Sequence, residues 1–181
     1  MTEEARLEES PSGLTPSGPG WFVVNVRDTR WMVHDAFGSG CVFENHEAAH
    51  FPELGININA LQPGQPMCLY HEEGAQEDFL VLAGECRLLV NEEERPLVAW
   101  DFFHCPAGTE HVIVGAGDGP AIVLAVGARP DPERLRYPVC ELAAKYDASA
   151  EAETTNPREA YARFDRPQPA RPDYWNELPW A

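Results

Sequence analysis

The chain has 181 residues and a formal charge of −17, from 30 acidic and 13 basic residues, with Lys145 its single lysine. That length suits one domain with a sizeable core and is short for two. Charge of this sign repels phosphate backbones and anionic bilayers, which excludes nucleic acid and membrane as partners, while 44% hydrophobic and 10% aromatic residues exclude a disordered chain.

Seventeen prolines and fourteen glycines favour many short strands and turns over long helices. Cys41, Cys68, Cys86, Cys105 and Cys140 are odd in number, widely spaced and without a CxxC pair. The N-terminal stretch MTEEARLEESPSG is acidic and lacks an apolar segment, so reduced thiols and a cytoplasmic location are expected. No apolar run approaches the ~20 residues that span a bilayer.

In chain order, residues 1–20 are acidic and rich in Pro, Gly and Ser, which predicts a flexible arm. Trp21–Val26 is the first strand candidate, and Arg30–Phe43 suggests a strand and a turn. Ile56, Ile58 and Ala60 then alternate with Asn57 and Asn59 before a turn at Pro63–Gly64. Met67–Glu73 reads as a strand, and Phe79–Val90 as a long β-rich run broken at Gly84. A polar turn at Asn91–Glu94 precedes Pro96–Cys105, and His111–Val114 and Ala121–Ala128 are the last strands. The GAGDG segment between those two is glycine-rich but has no helix after it, so it is not a phosphate loop. Short strands at regular turn spacing predict an all-β sandwich or barrel over residues 21–128.

Residues 129–181 change character. Val139–Tyr146 has helical composition, and Asn156 followed by Pro157 predicts an N-cap opening a short helix to Phe164. The proline-rich tail carries Tyr174, Trp175 and Trp180, which are expected to pack on the barrel or on a second subunit.

Within Met67–Glu73, strand alternation puts Met67, Leu69, His71 and Glu73 on one face. Glu77 follows across a tight turn, and His111 sits just beyond Pro106–Ala107–Gly108. Two imidazoles and one or two carboxylates converging from three strands make a divalent transition-metal site. His34, His46 and His50 read as surface or loop residues, and His104 either lines the pocket or packs in the core. Cys68 and Cys105 read as buried small hydrophobes.

The segment from about residue 56 to 128 resembles the cupin superfamily. The first motif of that family runs from glycine through HxH and Glu to a second glycine. It is matched here by Gly64, His71-x-Glu73, Glu77 and, six residues on, Gly84. The second motif is matched by Pro106-x-Gly108 and His111. The chain departs in four places. Gly64 stands one residue further from His71 than usual, Glu73 replaces the second histidine, Trp100 replaces a glycine and Gly115 the closing asparagine. The resemblance implies an antiparallel jelly-roll barrel, the double-stranded β-helix, with short C-terminal helices. It also implies one divalent ion (Mn, Fe, Zn or Ni) on His71, Glu77 and His111, with Glu73 either a fourth ligand or a general base.

On this reading the chain is a metal-binding cupin acting on a small polar molecule. Its chemistry would be isomerisation or epimerisation of a sugar or hydroxy-acid, or dioxygen activation at iron. The alternative is a non-catalytic binder of a small ligand or metal. A phosphate substrate would need arginines, for which Arg87 and Arg95 are the barrel's candidates. A homodimer is expected, through Trp21–Val26 and the aromatic tail.

Overall fold

The computed structural model describes residues 2–45, 47–130, 132 and 134–180; His46 therefore lies outside the described residues. The strands are β1 (Leu7–Ser10), β2 (Gly13–Pro16), β3 (Arg30–Val33), β4 (Ser39–Val42), β5 (Leu54–Leu61) and β6 (Glu72–Glu73). They continue with β7 (Glu77–Ala83), β8 (Glu85–Val90), β9 (Glu93–Val98), β10 (Phe102–Cys105), β11 (His111–Ala116) and β12 (Ala121–Ala128). The extension adds β13 (Leu135–Arg136), helix α1 (Glu141–Ala144), helix α2 (Pro157–Ala160), β14 (Gln168–Pro169) and a 3-10 turn at Trp175–Glu177.

Two antiparallel sheets face each other. One has seven strands in the order β10-β7-β12-β5-β4-β3-β14, and the other has three in the order β11-β8-β9. Leu61, Phe79, Val81 and Val123 from the larger sheet meet Cys86, Leu88 and Ile113 from the smaller one, and this cluster fills the barrel. The fold is all-β, as the turn spacing implied. The hairpin between β8 and β9 turns through Asn91 and Glu92, both in the left-handed region (φ 47° and 63°), where polar short turns are best tolerated.

The barrel is also covered on its outside. Trp31, Cys41, Ile58 and Ala60 on the outer face of the large sheet are capped by Leu178, Trp175 and Trp180 of the tail. Trp31 is fully buried, and the rings of Trp175 and Trp180 each sit 5.4 Å from it. The small sheet is covered by α1 and the chain after it, through Cys140, Ala143 and Ala148 against Leu89, Val112 and Val114. Strand β11 is consequently buried on both faces.

Several expectations change. Residues 1–20, expected as a flexible arm, contain the β1–β2 hairpin, with Leu7 opposite Pro16 and Ser10 opposite Gly13. Trp21–Val26 is not a strand. Trp21 makes one parallel bridge to Glu4, and Asn25 then turns the chain by accepting from the Arg27 and Asp28 amides. The alternation in β5 is as predicted but serves two interiors. Ile58 and Ala60 pack under the tail, whereas Asn57, Asn59 and Leu61 face the barrel. Helix α2 is capped by Asn156 as predicted but ends at Ala160, where Tyr161 leaves helical geometry (ψ 9°). The tail aromatics pack within their own chain, and the large apolar side chains left exposed include Trp100 and Phe102.

Met67–Glu73 is only partly a strand. Bridges at Pro66 and His71 pair with Val114 and His111, and the Met67 amide still donates to the Ile113 carbonyl (2.9 Å), but Leu69 and Tyr70 bulge away. Their amides go elsewhere: Leu69 N–H donates to the Tyr161 hydroxyl (3.0 Å) and Tyr70 N–H to the Ala148 carbonyl (2.6 Å). Leu69 therefore packs with Phe37 and Tyr137, away from Met67, which packs on the barrel core.

Candidate metal centre

His71 and His111 face each other across a two-way backbone pair. The His71 amide donates to the His111 carbonyl at 3.1 Å and the reverse bond is 2.8 Å. A pair of this kind brings side chains on one face together, and the two rings lie 4.9 Å apart between centroids. Glu77 opens β7 after the tight turn at residues 74–76 and points at the same spot.

Hydrogen bonding fixes how the rings present themselves. Nδ1 of His71 lies 2.8 Å from the Leu69 carbonyl, and Nδ1 of His111 lies 3.1 Å from the Thr109 carbonyl. A carbonyl accepts only, so each Nδ1 carries a proton; the Nε2 of His111, and that of His71 whenever its ring is neutral, turns a lone pair inward. The Nε2 of His111 is 3.4 Å from Glu77 Oε2, and that of His71 is 3.9 Å from the same oxygen. Buried His111 Nε2 accepts no hydrogen bond among the described residues. Lone pairs aimed at a carboxylate oxygen need a cation between them. Donors about 2.0–2.2 Å from a shared ion lie about 3–4.4 Å apart, and the three ligand atoms here all fall within 4.8 Å of one another. The residues present fit a divalent ion.

The charges agree. Burial, with the neighbouring His71 ring second, pushes the His111 pKa down to about 3 against a weak pull from the Thr109 carbonyl. Burial also opposes charge on His71, but Cys68, Glu73 and Glu77 outweigh it and hold its pKa well above the usual imidazole range. Without a metal, the site thus keeps one proton, on His71, among its carboxylates. Behind His111, Cys105 Sγ lies 3.4 Å from Nδ1, on the side away from the centre, and burial pushes its thiol up to about 12. It is a neutral packing group, as expected, and not a ligand.

Rings and ions support the centre. Phe79 and Phe103 pack against His111, at 5.2 and 5.8 Å, and Tyr137 stacks on His71 at 5.9 Å. Arg136 on β13 clamps the chain beside both histidines. It binds Glu72 at 2.8 Å, Glu110 at 2.5 Å and Glu153 at 3.2 Å, which raises its own pKa.

Beside Glu77 lies a hollow of about 150 Å³, lined among others by Asn57, Glu73 and Arg129. The Arg129 guanidinium is gripped by both oxygens of buried Glu44 (2.9 and 2.5 Å) and by the Phe51 carbonyl (2.7 Å).

Of the residues singled out in the sequence, His71, Glu77 and His111 come together. Glu73 reaches His71, Oε1 to Nε2 3.6 Å, but lies outside that set of three and lines the hollow. His104 is neither in the pocket nor in the core: it is exposed and paired with Asp78 at 2.7 Å. Arg87 and Arg95 pair with Glu94 and Glu93 on the outer hairpin, away from the hollow. Asn57, Arg129 and Arg136 were not singled out. Asn57 was readable, as one of two asparagines on an otherwise apolar strand. The two arginines depend on partners 85 and 64 residues away, which no local pattern reveals.

Comparison with known proteins agrees with this fold. The Cupin domain family model matches residues 58–127. A predicted oxalate decarboxylase from Thermotoga maritima superposes with a TM-score of 0.51 at 24% identity, over 59% of this chain and 98% of that one. A polyketide cyclase from Streptomyces resistomycificus gives 0.53 at 12% identity, over 61% and 80%. A sugar phosphate isomerase of the cupin superfamily from Silicibacter pomeroyi gives 0.48 at 32% identity, covering 55% of this chain and 64% of that chain, under two thirds of its length. No curated protein matches the chain. The first two likenesses concern the fold, and the family match identifies residues 58–127 of this chain as a cupin domain.

Proposed function

We propose that this chain is a metal-dependent enzyme that shifts a proton on a small polar molecule, a sugar or hydroxy-acid isomerase or epimerase. The observation that carries this reading is the division of labour between carboxylates. Both line the hollow, but Glu77 joins the two histidines while Glu73 stands outside that set of three. A bound divalent ion would supply Lewis acidity toward a substrate oxygen.

The chain's own groups would do the rest. His71 and His111, each held by a carbonyl at Nδ1, hold the ion through Nε2 with Glu77. Glu73 takes a proton from substrate carbon at a carboxylate oxygen and returns it. Asn57 and Arg129 orient polar groups of the substrate, and Phe79 and Phe103 keep water from beneath His111. Neither nucleic acid nor lipid suits this site, given the acidic surface.

The test starts with elemental analysis of protein purified without added metal. About one transition-metal ion per chain is expected, and His111→Ala should retain less than about a tenth of it. Glu73→Gln should keep the ion but lose about a hundredfold or more in turnover on a panel of sugars and hydroxy-acids. Retained turnover in Glu73→Gln removes the proton-transfer role. A wild-type protein that binds such molecules tightly without converting them is a binder and not an enzyme.

A further inference from the structure

A larger hollow, about 860 Å³, lies between the inner face of β3, β4 and β5 and the chain from Arg158 to Pro167. Organic ligand sites commonly occupy about 300–1,000 Å³. We propose that this hollow is a second ligand site, separate from the metal centre, for a small aromatic carboxylic acid.

Its wall suits a ring. Phe37, Tyr161 and Phe164 all line the hollow and brace one another, with Phe37 5.4 Å from Tyr161 and 4.8 Å from Phe164 between centroids. Met32 and Met67, both half-buried, complete an apolar surface that adapts to the shape of its guest. Space is kept open by Gly40, where an added Cβ would meet Asn59 Oδ1 at 3.1 Å. The Asn59 side chain itself makes no hydrogen bond among the described residues, which leaves its amide as a polar handle in the hollow.

The rim suits an anion. Arg158 and Arg166 line the hollow, and neither guanidinium forms an ion pair or hydrogen bond among the described residues. Asp165 is the acidic residue among the lining, which makes the lining net positive in a chain of net charge −17. Arginine recognises carboxylate by paired, charge-assisted bonds. The covering segment is already in place. His34 Nδ1 accepts from the Ala36 and Phe37 amides (3.0 and 3.3 Å), so its Nε2 carries the proton and donates to the Asp165 carbonyl at 2.8 Å.

Titration of the full chain, stripped of metal by a chelator, with 2-naphthoate followed by calorimetry tests this. Stripping removes the metal centre as a place for the carboxylate, so the outcome does not depend on the enzyme reading. Saturable binding of one naphthoate per chain is expected. The double variant Arg158→Gln, Arg166→Gln should weaken naphthoate about tenfold while leaving neutral 2-naphthylmethanol unchanged. Filling the hollow with Gly40→Val, or from the surface side with Ala162→Phe should Gly40→Val not fold, should remove both ligands. No saturable binding, or binding untouched by the filling variant, overturns the site. Equal loss of acid and alcohol in the arginine variant overturns the assignment of an acid.

Discussion

His71 and His111 hold opposite proton affinities within one ring-to-ring contact, and that difference sets how the site responds to pH. An ion entering the proposed centre would displace the proton of His71 and meet His111 already neutral. Apparent metal affinity therefore falls as pH falls, by about tenfold per unit for one displaced proton. A second proton competes only near the His111 value of about 3. Competition against a chromophoric chelator from about pH 6 to pH 8 measures the slope, and a flat profile would contradict the proton placement. Two departures from the cupin motifs also find their reasons at this scale. At Gly115 a Cβ would lie 2.3 Å from the Gln62 carbonyl, so no side chain fits there. Trp100 stands where the motif has glycine and keeps the left-handed backbone (φ 76°), at a cost of about 1–2 kcal/mol. The sequence named these positions, but not the backbone that explains them.

Among elements, the chain from Pro66 to Glu73 shows where sequence reading stops. His71, Glu77 and His111 were legible because spacing along strands is local. The bulge before His71 was not, because its amides are satisfied by Tyr161 and Ala148, far along the chain. Arg136 is a second long-range device. Through Glu72 and Glu110 it ties β6 to the start of β11, one residue from each histidine. Arg136→Met should leave the fold intact but loosen that register and weaken metal binding about tenfold, read by the same chelator competition. Unchanged affinity would reduce the clamp to a surface ion cluster.

Across the whole molecule, the barrel interior is only one of the apolar clusters. The large sheet's outer face depends on Trp31 and the tail, so Trp31→Ala should cost about 3–5 kcal/mol in urea unfolding. Its metal content at low denaturant should remain near one ion per chain, since Trp31 packs outside the barrel. The sequence predicted that the tail aromatics would find a surface, and it left open whether that surface was the chain's own. Composition could not decide, because the apolar face of β5 reads the same whether it points into a barrel or under a tail.

The Tyr161 hydroxyl and the Ala148 carbonyl complete the backbone beside His71. A nascent chain that has left the ribosome only as far as Ala128 already holds every ligand, yet lacks the groups that shape the segment carrying one of them. Loading of the proposed centre would thus await synthesis of residues well downstream of its candidate ligands, at least as far as Tyr161.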